Sequence, residues 1–333
     1  MTVQAILPHY LLFLAKTVTV VLAILAVVII IAHQRQKRRD DEHIEVKKLN
    51  DRYQRMGQAL KAQILPKRLF KQEQKRLKHE EKEAGKGAGP RKKRIFVLDF
   101  HGDIRASALD NLREEITAIL MVGTPEDEVF LRLESGGGMV HTYGLAASQL
   151  QRVKDKGIEL TISVDKVAAS GGYMMACIAD RLIAAPFAII GSIGVIAQLP
   201  NFNRLLKKNN IDFEQITAGE FKRTLTVFGE NTEAGRDKLK QEIEDTHTLF
   251  KDMIADHRKE VDIQQVATGE HWYGSRALTM RLIDQVATSD DYLLQASREA
   301  ELYEVAYVKK RRLGGRLASL MPAALQKWGY LRG

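Results

Sequence analysis

Between residues 94 and 165 the apolar positions follow two alternating rhythms. Arg94-Ile-Phe-Val-Leu-Asp-Phe100, Glu128-Val-Phe-Leu-Arg-Leu-Glu134 and Glu159-Leu-Thr-Ile-Ser-Val-Asp165 are short apolar runs, the pattern of strands covered on both faces. Between them Leu109, Leu112, Ile116, Ile119 and Leu120 share one helical face with Ser107 placed to cap it, and a second helical pattern runs from about Met139 to Lys154. Strands alternating with helices imply parallel crossovers and an α/β domain. Farther on, Ile211-Asp-Phe-Glu-Gln-Ile216 reads as a strand, residues 233–260 as a long helix, and shorter elements continue to Tyr307.

Two apolar runs are longer. Leu11 to Ala32 holds 22 residues with Lys16 as the single charge, against the roughly 20 that cross a bilayer as a helix. It begins uncharged and ends in His33-Gln-Arg-Gln-Lys-Arg-Arg39 rather than in a small-residue cleavage site, so it reads as a retained membrane anchor over residues 1–33. Leu182 to Leu199 holds 18 uncharged residues, which a hydropathy window reads as a second transmembrane helix, but Pro186, Gly191 and Gly194 within it also fit a buried strand and loop.

Composition adds where the charge lies. The 333 residues are 45% hydrophobic, ample for a core, and carry a formal charge of +9. The basic residues crowd into positions 35–94 and 309–316. Residues 34–93 read as a solvated helical stalk ending in the break Glu83-Ala-Gly-Lys-Gly-Ala-Gly-Pro90. Aromatic residues for base stacking are nearly absent from it, which argues against nucleic acid and leaves contact with anionic lipid as an open reading. Residues 1–15 have no Lys or Arg, so the positive-inside rule puts the body of the chain on the cytoplasmic side. In the tail, residues 309–333, Leu313, Leu317, Leu320 and Trp328 recur at helical spacing among basic residues; an interfacial helix and a helix packed on a subunit both fit. The single cysteine, Cys177, excludes an internal disulfide and any multi-cysteine metal site and reads as core filler. No cofactor is expected.

Candidate chemistry sits where strands end. Glu134-Ser-Gly-Gly-Gly-Met139 lies between a strand and a helix; it suits either a tight turn or a loop that aims N–H groups at an anion, and it lacks the Gly-Lys-Ser/Thr of a P-loop. Val167-Ala-Ala-Ser-Gly-Gly-Tyr173 places Ser170 at a helix N-terminus, where an attacking oxygen and its oxyanion would be favoured, or where a serine simply caps. The flanking glycines are read as room for a substrate backbone. His101, His141, His247, His257 and His271 offer no base marked by local context, whereas Lys222 lies just past the expected strand 211–216.

Taken together, Ala169-Ser-Gly-Gly-Tyr-Met174, Ser135-Gly-Gly-Gly138, Ile190-Gly-Ser-Ile-Gly-Val195, Ala218-Gly-Glu-Phe-Lys222 and Gly269-Glu-His-Trp-Tyr-Gly-Ser-Arg-Ala-Leu278 closely resemble the signal peptide peptidase A family of serine-lysine membrane peptidases, in its branch with one catalytic domain. The resemblance spans most of residues 94–300. It implies a ClpP/crotonase-like spiral of ββα units over 94–308, preceded by the transmembrane helix and the helical basic stalk. It implies Ser170 as nucleophile, Lys222 as general base and Ser192 as the hydroxyl that orients the lysine. Gly137 and Gly171 would supply oxyanion amides. It further implies a bacterial inner membrane, unstructured apolar peptides as substrates, and homo-oligomeric rings whose sites draw residues from neighbouring subunits. The chain departs from the family pattern in Glu-Phe before Lys222 and Arg-Thr-Leu-Thr after it, which bears on specificity. A crotonase-like acyl-CoA enzyme and a catalytically idle membrane scaffold are the competing readings; neither needs Ser170 or Lys222.

Overall fold

The computed structural model describes residues 14, 16–22, 24–25, 42–84, 92–219 and 221–309. The tail after 309 and most of the apolar run 11–32 lie outside the described residues. Within that run the described positions are helical and exposed, and among the described residues no helix is long and apolar enough to cross a membrane.

The elements in chain order are β1 (Glu42–Lys48), α1 (Leu49–Ile64), α2 (Lys67–Ala84), β2 (Arg94–Gly102), α3 (Leu109–Val122), β3 (Glu128–Ser135), α4 (Val140–Asp155), β4 (Glu159–Val164), β5 (Val167–Ala169) and α5 (Gly171–Ala176). They continue as β6 (Arg181–Ala184), β7 (Ile189–Gly191), α6 (Asn203–Lys208), α7 (Glu233–His257), α8 (Ile263–Val266), β8 (His271–Tyr273), α9 (Gly274–Thr279), β9 (Gln285–Val286), α10 (Ser289–Ala296) and β10 (Glu301–Lys309). The alternation expected between 94 and 165 is present. Leu109, Leu112, Ile116 and Ile119 of α3 are buried, as their shared face requires. Ser107 does not cap that helix; its N–H and that of Arg105 donate to Asp103 Oδ1, and the first turn opens at Ala108.

One sheet runs β1-β10-β2-β3-β4-β6-β9, and from β10 through β2, β3, β4 and β6 to β9 each strand is parallel to the next. Val97, Leu98, Phe130, Leu131, Leu160 and Ile162 are fully buried, which is why these strands read as apolar runs instead of alternating. At its end β3 forks: Glu128–Arg132 pairs with β4, and Ser135 pairs with Ala168 of β5. From there β5 pairs with β7, and β7 with the antiparallel β8. The fork brings the segments after β2, β3 and β5 to one place.

The stretch 182–199 holds β6 and β7 with Leu182, Ile183, Ala184 and Ile190 buried, as its Pro and Gly positions predict. The stretch 34–93 departs from a plain stalk. It opens with β1, Leu49 is buried with Ile95, Val97 and Phe130, and Asn50 donates to the carbonyls of Ser297 and Ala300 while accepting from the N–H of Leu302. Periodicity could not show this, because one buried apolar residue and one asparagine fasten the helix. The expected strand 211–216 is absent: no strand pairs with it, and Ile211, Phe213 and Ile216 are exposed. Alternation alone does not make a strand where the backbone has no ladder to join.

Candidate active site

Ser170 sits between β5 and α5 in a backbone conformation that side chains rarely adopt, φ 51° and ψ −120°. Such a conformation costs about 1–3 kcal/mol and persists only where its surroundings impose it. Here its N–H donates to the carbonyl of Gly191 (2.8 Å) and its carbonyl accepts from Met174 (3.0 Å), while α5 beyond it is buried throughout. Its hydroxyl makes no capping bond to the helix, so the simple N-cap alternative lacks its defining contact.

The glycines after it serve the interior. A Cβ on Gly171 would lie 2.5 Å from Cγ of Tyr143, and one on Gly172 would lie 2.4 Å from the carbonyl oxygen of Ser135. The missing side chains therefore face the protein, which corrects the reading of them as room for substrate. Gly137, at φ +89°, presses on the other side: a Cβ there would stand 2.7 Å from the Gly171 nitrogen and 2.8 Å from Cβ of Ser170. Gly138 abuts the backbone of Ile104, and Met139 N–H donates to the Ile104 carbonyl (2.9 Å). The loop after β3 is thus clamped between the segment after β2 and the Ser170 turn.

Gly137 and Gly171 are brought together, but their amides differ. The N–H of Gly137 donates to Ser135 Oγ (3.1 Å) and is thereby taken, whereas that of Gly138 has no partner among the described residues. Ser135 Oγ also pairs with Tyr143 Oη (2.6 Å), whose proton goes to the carbonyl of Asp103 (2.7 Å). Neither Ser135 nor Tyr143 stands out in the sequence: the first precedes a glycine run, the second lies on a helical face otherwise made of Ala146, Ala147, Leu150 and Val153.

Ser192 lies one residue beyond the Gly191 carbonyl that holds Ser170. It too has φ 51°; its N–H donates to the carbonyl of Glu270 (2.7 Å), and its hydroxyl reaches the Gly269 carbonyl only at 3.4 Å. Lys222 is the remaining residue of the expected set. It is exposed, past α6, on the wall of an apolar groove of about 630 Å³ with Leu199, Phe213, Ile216, Leu225 and Phe228. No hydrogen bond joins Lys222 to Ser170 or Ser192 within the chain. None of the five histidines hydrogen-bonds to Ser170 either; His101 lies instead beside Glu134 at 3.6 Å.

Two family models match the chain, one described as peptidase family S49 N-terminal over residues 5–150 and one as peptidase family S49 over residues 152–303. A probable protease SohB of Haemophilus influenzae is 48% identical over 320 residues, 92% of this chain and 91% of its own. A probable protease SohB of Buchnera aphidicola subsp. Acyrthosiphon pisum is 58% identical over 222 residues, 67% of this chain and 66% of its own. Protease 4 of Haemophilus influenzae is 26% identical over 172 residues, 51% of this chain and 28% of its own.

Proposed function

The chain belongs to peptidase family S49, and on that premise we propose that it is a membrane-anchored serine endopeptidase using Ser170 and Lys222. The observation that carries this reading is the strained turn at Ser170, whose hydroxyl no backbone group uses and whose neighbours Gly137 and Gly171 approach within the space of a methyl group. Neutral Lys222 takes the proton from Ser170 Oγ as that oxygen adds to a peptide carbonyl. The proton passes to the leaving amine as the C–N bond breaks and an acyl-enzyme remains, which water then hydrolyses. The oxyanion is met by the N–H of Gly171 and by a glycine of the loop after β3, where Gly138 has its N–H to spare.

Lys222 is exposed and makes no hydrogen bond to Ser170 within one chain, which supports a dyad completed between subunits of a ring. In that arrangement Ser192, backbone-linked to Ser170 through Gly191, receives the incoming lysine. The exposed Phe213, Ile216 and Phe228 beside Lys222 support apolar, unstructured peptides as substrates. The run 11–32 supports anchorage that keeps the site near such peptides. The ClpP/crotonase-like spiral belongs to the same reading, supported by the fork at the end of β3.

The test is reaction of the full chain with a fluorophosphonate, mapped to a residue, beside hydrolysis of an alanine- and leucine-rich peptide. Label on Ser170, with hydrolysis abolished by Ser170→Ala, Lys222→Ala and Lys222→Arg, is the expected result. An arginine stays protonated and is no base. An acyl-CoA enzyme or an idle scaffold would leave Ser170 unlabelled, and full turnover by any of the three variants would sink the dyad.

A further inference from the structure

The hydrogen atoms around Ser135 have one possible arrangement. The carbonyl of Asp103 only accepts, so the single proton of the Tyr143 hydroxyl goes to it at 2.7 Å. The 2.6 Å contact between Ser135 Oγ and Tyr143 Oη must then use the proton of Ser135. Ser135 Oγ in turn accepts the N–H of Gly137 at 3.1 Å. Both side chains are sealed from water, Ser135 at 1% and Tyr143 at 0% exposure. Burial raises the phenol above its ordinary value, with the bond to Ser135 opposing, so the hydroxyl keeps its proton and the chain does not reverse on titration.

This short relay lies between the segment after β2 and the Ser170 turn. A Cβ on Gly102 would meet Tyr143 Oη at 2.4 Å and Ser135 Oγ at 2.6 Å; the Tyr143 ring underlies Gly171, and the Ser135 carbonyl underlies Gly172. The relay's last bond fixes the peptide plane before Gly137. Rotation of that plane would move the next N–H, at Gly138, which has no partner among the described residues.

We infer that Ser135 and Tyr143 are positioning residues of the peptidase site, holding the 136–138 loop so that its spare N–H and that of Gly171 stand ready for the oxyanion formed at Ser170. This rests on the serine peptidase reading above. An oxyanion donor acts on the transition state and hardly on bound substrate, so a loosened loop lowers kcat and leaves KM. A pair that merely stabilises the fold lowers the amount of active protein and nothing per site.

Tyr143→Phe keeps the ring and removes the hydroxyl. Ser135→Ala keeps the donation from Tyr143 to Asp103 and removes the acceptor of Gly137. Activity is counted per site titrated by fluorophosphonate, on an alanine- and leucine-rich peptide, with binding of the matching peptide boronic acid and of the same peptide carrying a reduced, uncleavable bond. For both variants kcat per titrated site is expected to fall about 10- to 100-fold, less than or similar to deletion of a donor. KM and uncleavable-peptide binding are expected to stay within about twofold, and boronate affinity to fall in step with kcat. If one variant does not fold, the other carries the same signature. Unchanged kcat and boronate affinity per titrated site, with only a lower melting temperature, overturns the positioning role while the serine reading stands. Absence of label on Ser170 in the unsubstituted chain overturns both.

Discussion

Gly137 and Ser170 approach so closely that a methyl group on the first would stand 2.8 Å from Cβ of the second. The same methyl would meet the Ala169 carbonyl oxygen and the Gly171 nitrogen at 2.7 Å, and these are backbone atoms that cannot swing aside. With φ at +89°, any side chain at 137 is strained as well as crowded. Gly137→Ala is expected to destabilise the protein by about 1–3 kcal/mol and to abolish fluorophosphonate labelling of the fraction that folds. Gly136→Ala, where a Cβ meets nothing within 4 Å, is the control and is expected to label normally.

If Lys222 serves a neighbouring subunit, two inactive chains repair each other. Mixed rings of Ser170→Ala and Lys222→Ala chains contain junctions where an intact Ser170 meets an intact Lys222. At equal input and random order, about one quarter of junctions are whole, because a heterologous ring gives each site two independent contributors. Peptide hydrolysis near that fraction is the expected outcome; none at all after demonstrated subunit exchange would place both residues' function within one chain.

Asp127 should make part of the stability depend on acid. Burial alone would raise its carboxyl, but the bidentate Arg94 and the N–H and hydroxyl of Thr124 outweigh burial and hold it down, at about 2 against an ordinary 3.8. A lowered carboxyl contributes stability that is complete above pH 3.8 and is lost as pH falls towards 2. At neutral pH the contribution is roughly 2 kcal/mol. Asp127→Asn is therefore expected to lower the melting temperature at pH 7, with the difference shrinking as pH falls below about 4 and closing only near pH 2. A difference that persists unchanged at pH 2.5 would assign the loss to packing.

Cys177 is predicted to be inert while the protein is folded. Its thiol is fully buried, donates to the Met174 carbonyl at 3.3 Å and is pushed by burial up to about 12. Alkylation by iodoacetamide at pH 8 is expected to be at least about 100-fold slower than in denaturant, since the thiolate is the reacting form. Native-rate alkylation equal to the unfolded rate would show that α5 opens readily, and the Ser170 turn with it.

How much of this could be read from residues alone follows from the range of each interaction. The strands at β2, β3 and β4 and the faces of α3 and α4 were legible because burial on two faces or one leaves a local period. At β6 and β7 the run 182–199 is apolar enough to read as a membrane helix, and Pro186 and Gly191 within it fit the strand and loop found there. The stretch 211–216 shows the limit: its alternation is real, yet no neighbouring strand offers a ladder, and its apolar residues stay exposed. Asn50 shows the reverse, one polar residue with no pattern around it whose three backbone bonds fasten α1 to the far end of the chain.

By itself the sequence determined the α/β class, the order of the elements from β2 to β4, Ser170 at a helix start after a strand, and the glycine loop after another. Those features are local, since periodicity and glycine content act within a few residues. Only the tertiary structure decided what the glycines face, that Ser135 Oγ occupies the N–H of Gly137, and that Tyr143 stands beneath Gly171 with its proton committed to Asp103. It also decided that Lys222 lies exposed on the wall of an apolar groove, with no hydrogen bond to Ser170 within one chain. Each of these depends on where the fork in β3 sends the backbone. Contacts between residues far apart in sequence are set by packing, and packing leaves no period in the chain.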